Sequence, residues 1–244
     1  MSRPPATPLR RDADDAVEVI ELGCGPVPVR WRVSRRARRL SLRIDPSGGH
    51  VVVTLPPRAS RSTGRALLGR HSDWIAGRLA ALPSRIDFAD GVCIPLDGLT
   101  HRIRHDPLSR GGVRVDAGML VVSGEAQFLP RRLSDFLRAE ARRRLAVHVG
   151  RIGAGLERRP RRLSIKDVRS RWGSCTADGT LMLSWRLVMA PPTVQDYVVA
   201  HEMAHLSHMD HGEAFWRLVD RLTPNRLMAE RWLREQGPAL LRIG

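Results

Sequence analysis

Two histidines and one glutamate stand in the spacing His201-Glu202-x-x-His205. In an α-helix, residues four positions apart lie on one face, so His201 and His205 can direct their imidazoles to one metal ion. Glu202 lies one position further round, where its carboxylate can reach a water at an open coordination position without binding the metal. The spacing is typical of zinc hydrolases, and it predicts Zn²⁺ as the cofactor and Glu202 as the general base.

The segment that carries these residues, Val194 to Leu206, is apolar on nearly all sides. It predicts a buried helix that begins after Pro191-Pro192, with Thr193 as its N-cap. Unpaired imidazole and carboxylate groups are costly in such a setting, so a metal and hydrogen bonds are the natural compensation. The alternative is a pair of hydrogen-bonded core histidines without a metal.

A third protein ligand is needed for a catalytic zinc site, and we expect it to be His211. His208 continues the same helical face, but two helical turns place it about 10.5 Å along the axis from His201, which fits a tetrahedron poorly. Asp210 and Glu213 resemble a capping box, which would end the first helix near residue 209 and begin another at His211. His208 and Glu213 remain the alternative ligands.

The elements that must position this site follow from hydrophobic periodicity. One helix is expected over Ser62 to Leu82 and a second over Leu129 to Ile152. A strand from Leu181 to Trp185 precedes the metal helix, either as an edge strand to which a peptide can add or as an ordinary core strand. Eight further short alternating segments, separated by turn signals, predict strands. They are Val17 to Leu22, Val27 to Val33, Leu40 to Ile44, Val51 to Leu55, Val92 to Leu96, Leu99 to Arg104, Val113 to Val115 and Leu120 to Val122.

These elements predict an α+β fold with three parts. Residues 1–16 read as a disordered tail, residues 17–125 as a β-rich N-terminal domain with one inserted helix, and residues 126–244 as the metal-binding catalytic domain. Three cysteines without CxxC spacing argue against a disulfide framework or a cysteine-rich zinc site. Since the sequence also lacks a long apolar run, we expect a cytoplasmic protein without a membrane association.

The charge is strongly basic, with a formal net charge of +16 among 244 residues. Such an excess favours nucleic acid, nucleotides or another polyanion as partners. Lys166 is the only lysine, however, so a compositional preference for arginine explains the charge equally well. Arg171 could stabilise an oxyanion or a phosphate near the metal, because its planar guanidinium suits either anion. Trp172 and Trp185 fit core anchors better than substrate platforms.

Several motifs together resemble the YgjP-like metallopeptidases, relatives of the SprT and WLM zinc proteases, over nearly all of Val17 to Leu233. The motifs are Arg171-Trp172-Gly173-Ser174-Cys175, Leu183-Ser184-Trp185-Arg186-Leu187, Asp196-Tyr197-Val198, His201-Glu202-Met203-Ala204-His205-Leu206, His211, Phe215-Trp216, and upstream Asp73-Trp74-Ile75 and Asp90-Gly91.

The resemblance implies a zincin-like catalytic domain, metal ligation by His201, His205 and His211, and a catalytic Glu202. Ser184 departs from the family pattern, which usually has asparagine there, so substrate handling could differ at this point. Arg171, Ser184 and Trp185 are accordingly candidate substrate-binding residues.

Three functions are compatible with these observations. A zinc-dependent peptidase acting on peptide or protein substrates is the first. A hydrolase of nucleotide phosphoanhydrides on the same site is the second, motivated by the arginine surplus. The third is a nucleic-acid-binding protein with a structural zinc, but a closed structural site would not need a carboxylate such as Glu202 beside an open position.

Overall fold

The computed structural model describes residues 16–168 and 170–244. The predicted disordered tail therefore lies outside the described residues, apart from Ala16. The chain divides into two compact units, Met1–Leu82 and Pro83–Gly244. Sheets and helices occur in both, which confirms the mixed α+β class. Within the described residues, every helix is too short or too polar to cross a membrane.

The first unit contains a four-stranded sheet in the order β1-β2-β4-β3. Strands β2 and β4 are parallel, and the other pairs are antiparallel. Its core includes Trp31 and Val53 from the sheet and Leu68 and Ile75 from the helices. The elements are β1 (Val17–Leu22), β2 (Gly25–Val33), β3 (Ser41–Asp45), β4 (His50–Leu55), α1 (Arg61–Arg70) and α2 (Ser72–Ala80).

The single helix predicted over Ser62 to Leu82 is two helices, α1 and α2, separated at His71. The backbone of His71 leaves the helical region, with φ −115° and ψ 19°. The break turns the chain while Leu68 and Ile75, one on each helix, both reach the same core. Because both segments keep helical spacing, the apolar pattern alone did not reveal the interruption.

The second unit contains two sheets and a set of helices. The first sheet has the order β5-β6-β8-β7 and the second the order β10-β11-β9. A short 3₁₀ helix, Trp185–Met189, joins β11 to the helix that carries the candidate site. The elements are β5 (Cys93–Leu96), β6 (Leu99–Asp106), β7 (Val113–Asp116), β8 (Met119–Ser123), α3 (Leu129–Gly153), β9 (Arg162–Lys166), β10 (Gly173–Cys175), β11 (Thr180–Ser184), α4 (Pro192–Ala204), α5 (Glu213–Leu222) and α6 (Arg226–Leu240).

The division between the units falls at 82/83, whereas the sequence led us to expect it at 125/126. The strands β5 to β8 lie in the second unit because their buried side chains share one continuous core with α3 and α4. Ile103 and Leu120 of the sheet belong to the same buried cluster as Leu133 and Val199. Strands β5 to β8 alternate in the same way as β1 to β4 but belong to a different core. Local periodicity does not encode this grouping.

Helix α4 ends earlier than predicted, at Ala204, and its N-terminal cap position is Pro191 without a side-chain hydrogen bond. Thr193 is therefore inside the first turn and is not the N-cap. The expected capping box also does not form, since α5 begins at Glu213 after Gly212, again without a side-chain cap. Residues 206–212 instead form a connection that leads the chain back towards α4.

Candidate metal centre and active site

Helix α4 lies in the core of the second unit, and its apolar residues explain its position. Val194, Val199, Ala200 and Met203 are fully buried. His201 and Glu202 occupy the part of the helix that borders two cavities, and Glu202 is only 9% exposed. A carboxylate so nearly buried has no ordinary structural reason to be there, which marks this face of α4 as a candidate site.

Three imidazoles meet at the end of α4. His201, His205 and His211 each offer a ligand atom, and these atoms lie within 4.8 Å of one another. The Nε2 atoms of His201 and His211 are 3.3 Å apart. Two nitrogens bound to one tetrahedral zinc at about 2.0–2.1 Å would be separated by about 3.3 Å. The separation of His201 and His211 is therefore that of two nitrogens on one tetrahedral metal ion, and the ligand atom of His205 lies within 4.8 Å of both.

Among the described residues, the two alternative third ligands, His208 and Glu213, are not members of this cluster. His208 contributes its backbone carbonyl, which accepts a hydrogen bond from Nδ1 of His205 at 3.0 Å. Glu213 begins α5 and pairs with Arg217 at 3.1 Å, with its side chain 82% exposed. The connection after α4 thus brings the ring of His211 to the cluster.

The surroundings of the imidazoles determine which nitrogens can bind a metal. Because Nδ1 of His205 donates to a carbonyl, its Nε2 is left with a free lone pair. Nδ1 of His201 is buried and has no hydrogen-bond partner within the described part of the chain. Aromatic rings enclose His201 instead, with ring centroids at 5.1 Å for Phe215 and 5.7 Å for Trp216.

Burial favours the neutral form of His201 and His205. Together with smaller effects of the neighbouring His205 and His211, it lowers the pKa of His201 to about 4. Burial also lowers the pKa of His205, against the opposing hydrogen bond to the carbonyl of His208. Neutral imidazole is the form that binds divalent metals, so the cluster is prepared for coordination near neutral pH.

Glu202 has a raised proton affinity and a confined side chain. Burial raises the pKa of Glu202 to about 7, while Arg171 acts in the opposite direction. Gly173 on β10 lies directly against this side chain, because a Cβ at position 173 would be 2.5 Å from Cγ of Glu202. A carboxyl group of this kind can accept and release a proton near neutral pH.

Two cavities border Glu202 and His201. The first has a volume of about 340 Å³ and includes His205, His211 and Cys175 in its lining. The second has a volume of about 270 Å³. Its lining is mainly apolar, and it consists of Trp172, Gly173, Tyr197, Val198 and Leu233 together with Arg171, His201 and Glu202. A substrate can therefore approach the glutamate from both sides.

The sequence comparison decides the family. The model of the YgjP-like metallopeptidase domain matches residues 38–236. The chain belongs to the YgjP-like family. This confirms the resemblance drawn from the sequence motifs. Membership implies a metallopeptidase-like hydrolase that uses a divalent metal, and the three-histidine cluster is the candidate site for that metal in this YgjP-like chain.

Other comparisons add little. No curated protein matches the chain. A solved structure, the crystal structure of the metallopeptidase zymogen of Pyrococcus abyssi abylysin, shares 22% identity with it. The match covers 39% of this chain and 93% of the other, with a TM-score of 0.32.

The three candidate substrate-binding residues of the YgjP-like chain differ in whether they reach the site or lie in the core. Arg171 is exposed and lines the second cavity beside Glu202. Ser184 is completely buried, and its hydroxyl donates to the carbonyl of Val168. Trp185 is 2% exposed and lies against the guanidinium of Arg186. The structure thus brings Arg171 to the site but holds Ser184 and Trp185 inside the core.

The strand predicted over Leu181 to Trp185 is β11, Thr180–Ser184. It lies in the middle of its sheet and is therefore not the edge strand that was one of its two expected roles. It pairs with β9 on one side and β10 on the other. Among the described residues, the strand that lies beside Glu202 and has one unpaired edge is β10. Its three residues carry no alternating pattern long enough to be identified from sequence.

Two further contributions escaped sequence reasoning. Gly173 was quoted in a motif, but nothing local indicated its contact with Glu202, a residue far along the chain. Asp196 of α4 accepts a hydrogen bond from Nδ1 of His148 on α3 at 2.5 Å and pairs also with Arg151. These bonds brace α4 one turn before His201.

Proposed function

We propose that this chain is a zinc-dependent peptidase in which His201, His205 and His211 hold the metal and Glu202 is the general base. One observation carries the proposal: three imidazoles converge beside a nearly buried glutamate that borders two cavities. The zincin-like character of the catalytic unit and the choice of zinc over other divalent metals belong to the same proposal. Three nitrogen donors leave a fourth position open, as catalytic zinc sites require.

When bound, zinc would act as a Lewis acid that polarises a substrate carbonyl and lowers the pKa of water. Glu202 would take a proton from the attacking water on its carboxylate and transfer it to the leaving amine nitrogen. Gly173 allows the carboxylate to occupy its position, since a larger residue would displace it. Arg171 favours the ionised form of Glu202 that this role requires.

The unpaired edge of β10 supports a peptide as the substrate. Within the described chain, β10 pairs only with β11, so the backbone groups on its outer edge are available to an extended peptide. The second cavity lies beside this edge and beside Glu202. Its apolar lining, which includes Val198 and Leu233, suits an apolar side chain of the substrate next to the cleaved bond.

The test measures metal content and turnover in the same samples. Wild type and Glu202→Gln should both contain zinc, and only wild type should cleave an unfolded protein substrate. His201→Ala should lose zinc. His208→Ala is its matched control, because His208 contributes only a backbone carbonyl to the cluster. Glu213→Gln is the control for Glu202→Gln, because it removes an exposed carboxylate nearby.

The same samples are offered nucleoside triphosphates. Phosphate release that depends on Glu202, without peptide cleavage, would keep the site and refute the peptidase. Zinc in wild type with no Glu202-dependent turnover of either substrate would favour a structural metal. Stoichiometric zinc in His201→Ala would refute the ligand assignment.

A further inference from the structure

Positive charge is concentrated in the first unit. Between residues 17 and 82 the chain has 12 arginines against 4 acidic residues. Between residues 83 and 244 it has 26 lysines and arginines against 18 acidic residues. The arginine content is similar in both parts, so a compositional preference explains that content but not the shortage of carboxylates in the first unit. This shortage gives the smaller unit a net positive field of its own.

An apolar groove of about 430 Å³ lies on this unit, between strand β3 and the helices α1 and α2. Trp74 of α2 is 45% exposed, whereas Trp31 of the same unit is 2% exposed and belongs to the core. Trp74 therefore contributes its ring to the surface of the groove. The groove is lined by Leu40, Ser41, Leu42, Leu67, His71 and Trp74.

Three arginines lie next to residues that line this groove. The guanidinium of Arg78 lies 6.0 Å from the centroid of the Trp74 ring. Arg39 and Arg43 flank the lining residues of β3 along the chain, and both are exposed. In the described part of the chain, neither has a carboxylate within ion-pair distance. Their charges are thus available to a ligand in or beside the groove.

We propose that this groove binds single-stranded nucleic acid, with a base stacked on Trp74 and the flanking arginines at the phosphates. An aromatic ring within a cationic groove is the combination by which proteins hold unpaired bases and their backbone together. A duplex keeps its base faces inside the stack, so it offers nothing to the exposed ring. This binding is a function additional to the proposed peptidase and does not depend on Glu202.

Charge alone would attract other polyanions, such as an anionic membrane surface or an acidic protein. A membrane surface would also take up an exposed tryptophan ring, whereas a purely charged polymer such as heparin would not. The contribution of Trp74 to affinity therefore separates nucleic acid from a charged polymer, and a direct comparison with anionic vesicles separates it from a membrane. RNA and DNA share the base and phosphate chemistry, and the experiment distinguishes them by using both.

The first experiment measures binding of labelled single-stranded RNA and DNA 12-mers to the full chain by fluorescence anisotropy. Trp74→Ala should weaken binding roughly 5- to 160-fold, the range for loss of one stacked base. Trp74→Phe keeps a π face and should stay close to wild type. Equal affinity of wild type and Trp74→Ala, with both variants folded, would overturn the proposal.

The second experiment tests the arginines by salt dependence. The double variant Arg39→Gln/Arg43→Gln should reduce the slope of log affinity against log salt by about 1.4, since each single-strand phosphate contact contributes about 0.7. Arg102→Gln/Arg110→Gln is the control, because it removes the same charge from exposed positions of the second unit. An equal effect of both pairs would overturn the proposed site. So would tighter binding of heparin or of anionic vesicles than of the 12-mers.

Discussion

The substitution Gly173→Ala tests whether the position of Glu202 governs the proposed reaction. A Cβ at residue 173 would lie 2.5 Å from Cγ of Glu202 and 2.9 Å from its Cδ and Oε1. The φ angle of Gly173 is not positive, so alanine meets no backbone strain there. The three nearest atoms to the added methyl group all belong to Glu202, so its main effect is to press on the glutamate.

The size of the effect follows from this contact. Carbon atoms pack at about 3.5 Å, so Cγ of Glu202 must retreat by about 1 Å. A displacement of about 1 Å at a reacting group can reduce the rate about a hundredfold, equivalent to about 2.7 kcal/mol of activation free energy. Overpacking costs about 1–3 kcal/mol of stability. Metal content should not change, because all three near contacts of the new Cβ are with Glu202.

The assay compares kcat/KM for an unfolded protein substrate, bound metal and thermal unfolding in wild type and Gly173→Ala. Gly150→Ala is the matched control, since a Cβ there meets nothing within 4 Å. Gly150 lies in α3, so this control should stabilise the fold by up to about 1 kcal/mol and leave turnover unchanged. Full turnover by metal-loaded Gly173→Ala would refute the view that the packed position of Glu202 controls the chemistry.

Four other perturbations have defined outcomes. Asp196→Asn should lower thermal stability above about pH 4, because partners that include His148 depress the pKa of Asp196 in the folded state. The difference in stability from wild type should vanish as the pH falls further. A constant difference down to pH 2 would contradict this assignment. Arg186→Met should destabilise the chain by about 1–3 kcal/mol in denaturant unfolding, since Arg186 is 1% exposed and two carbonyls at the C-terminus lose its hydrogen bonds, while its carboxylate partner Asp167 keeps Arg138; an unchanged free energy of unfolding would show that the buried charge is dispensable. Leu233→Gln should raise KM for peptides with an apolar residue at the cleaved bond and leave bound metal unchanged, whereas unaltered KM would remove the second cavity from substrate binding. Chelation of the metal should lower the melting temperature of wild type, because a ligand that binds only the folded state stabilises it, and an unchanged melting temperature would count against a metal held by folded residues.

The sequence alone predicted the features that depend on neighbouring residues. The face shared by His201 and His205 follows from helical geometry over five residues. All eight strands expected before α3 occur within a few residues of their predicted bounds, because alternation and turn residues are local signals. The family was also recognisable, since its motifs are short and occur in order.

Only the tertiary structure decided how those elements are grouped. Strands β5 to β8 join the second unit through a core shared with α3, and β11 is central because β10 and β9 pair with its two edges. Gly173 touches Glu202, which lies 29 positions further along the chain, so no local pattern signals the contact. Such contacts depend on which distant segments bury their apolar faces together, and alternation within one segment leaves the partner of each face unspecified.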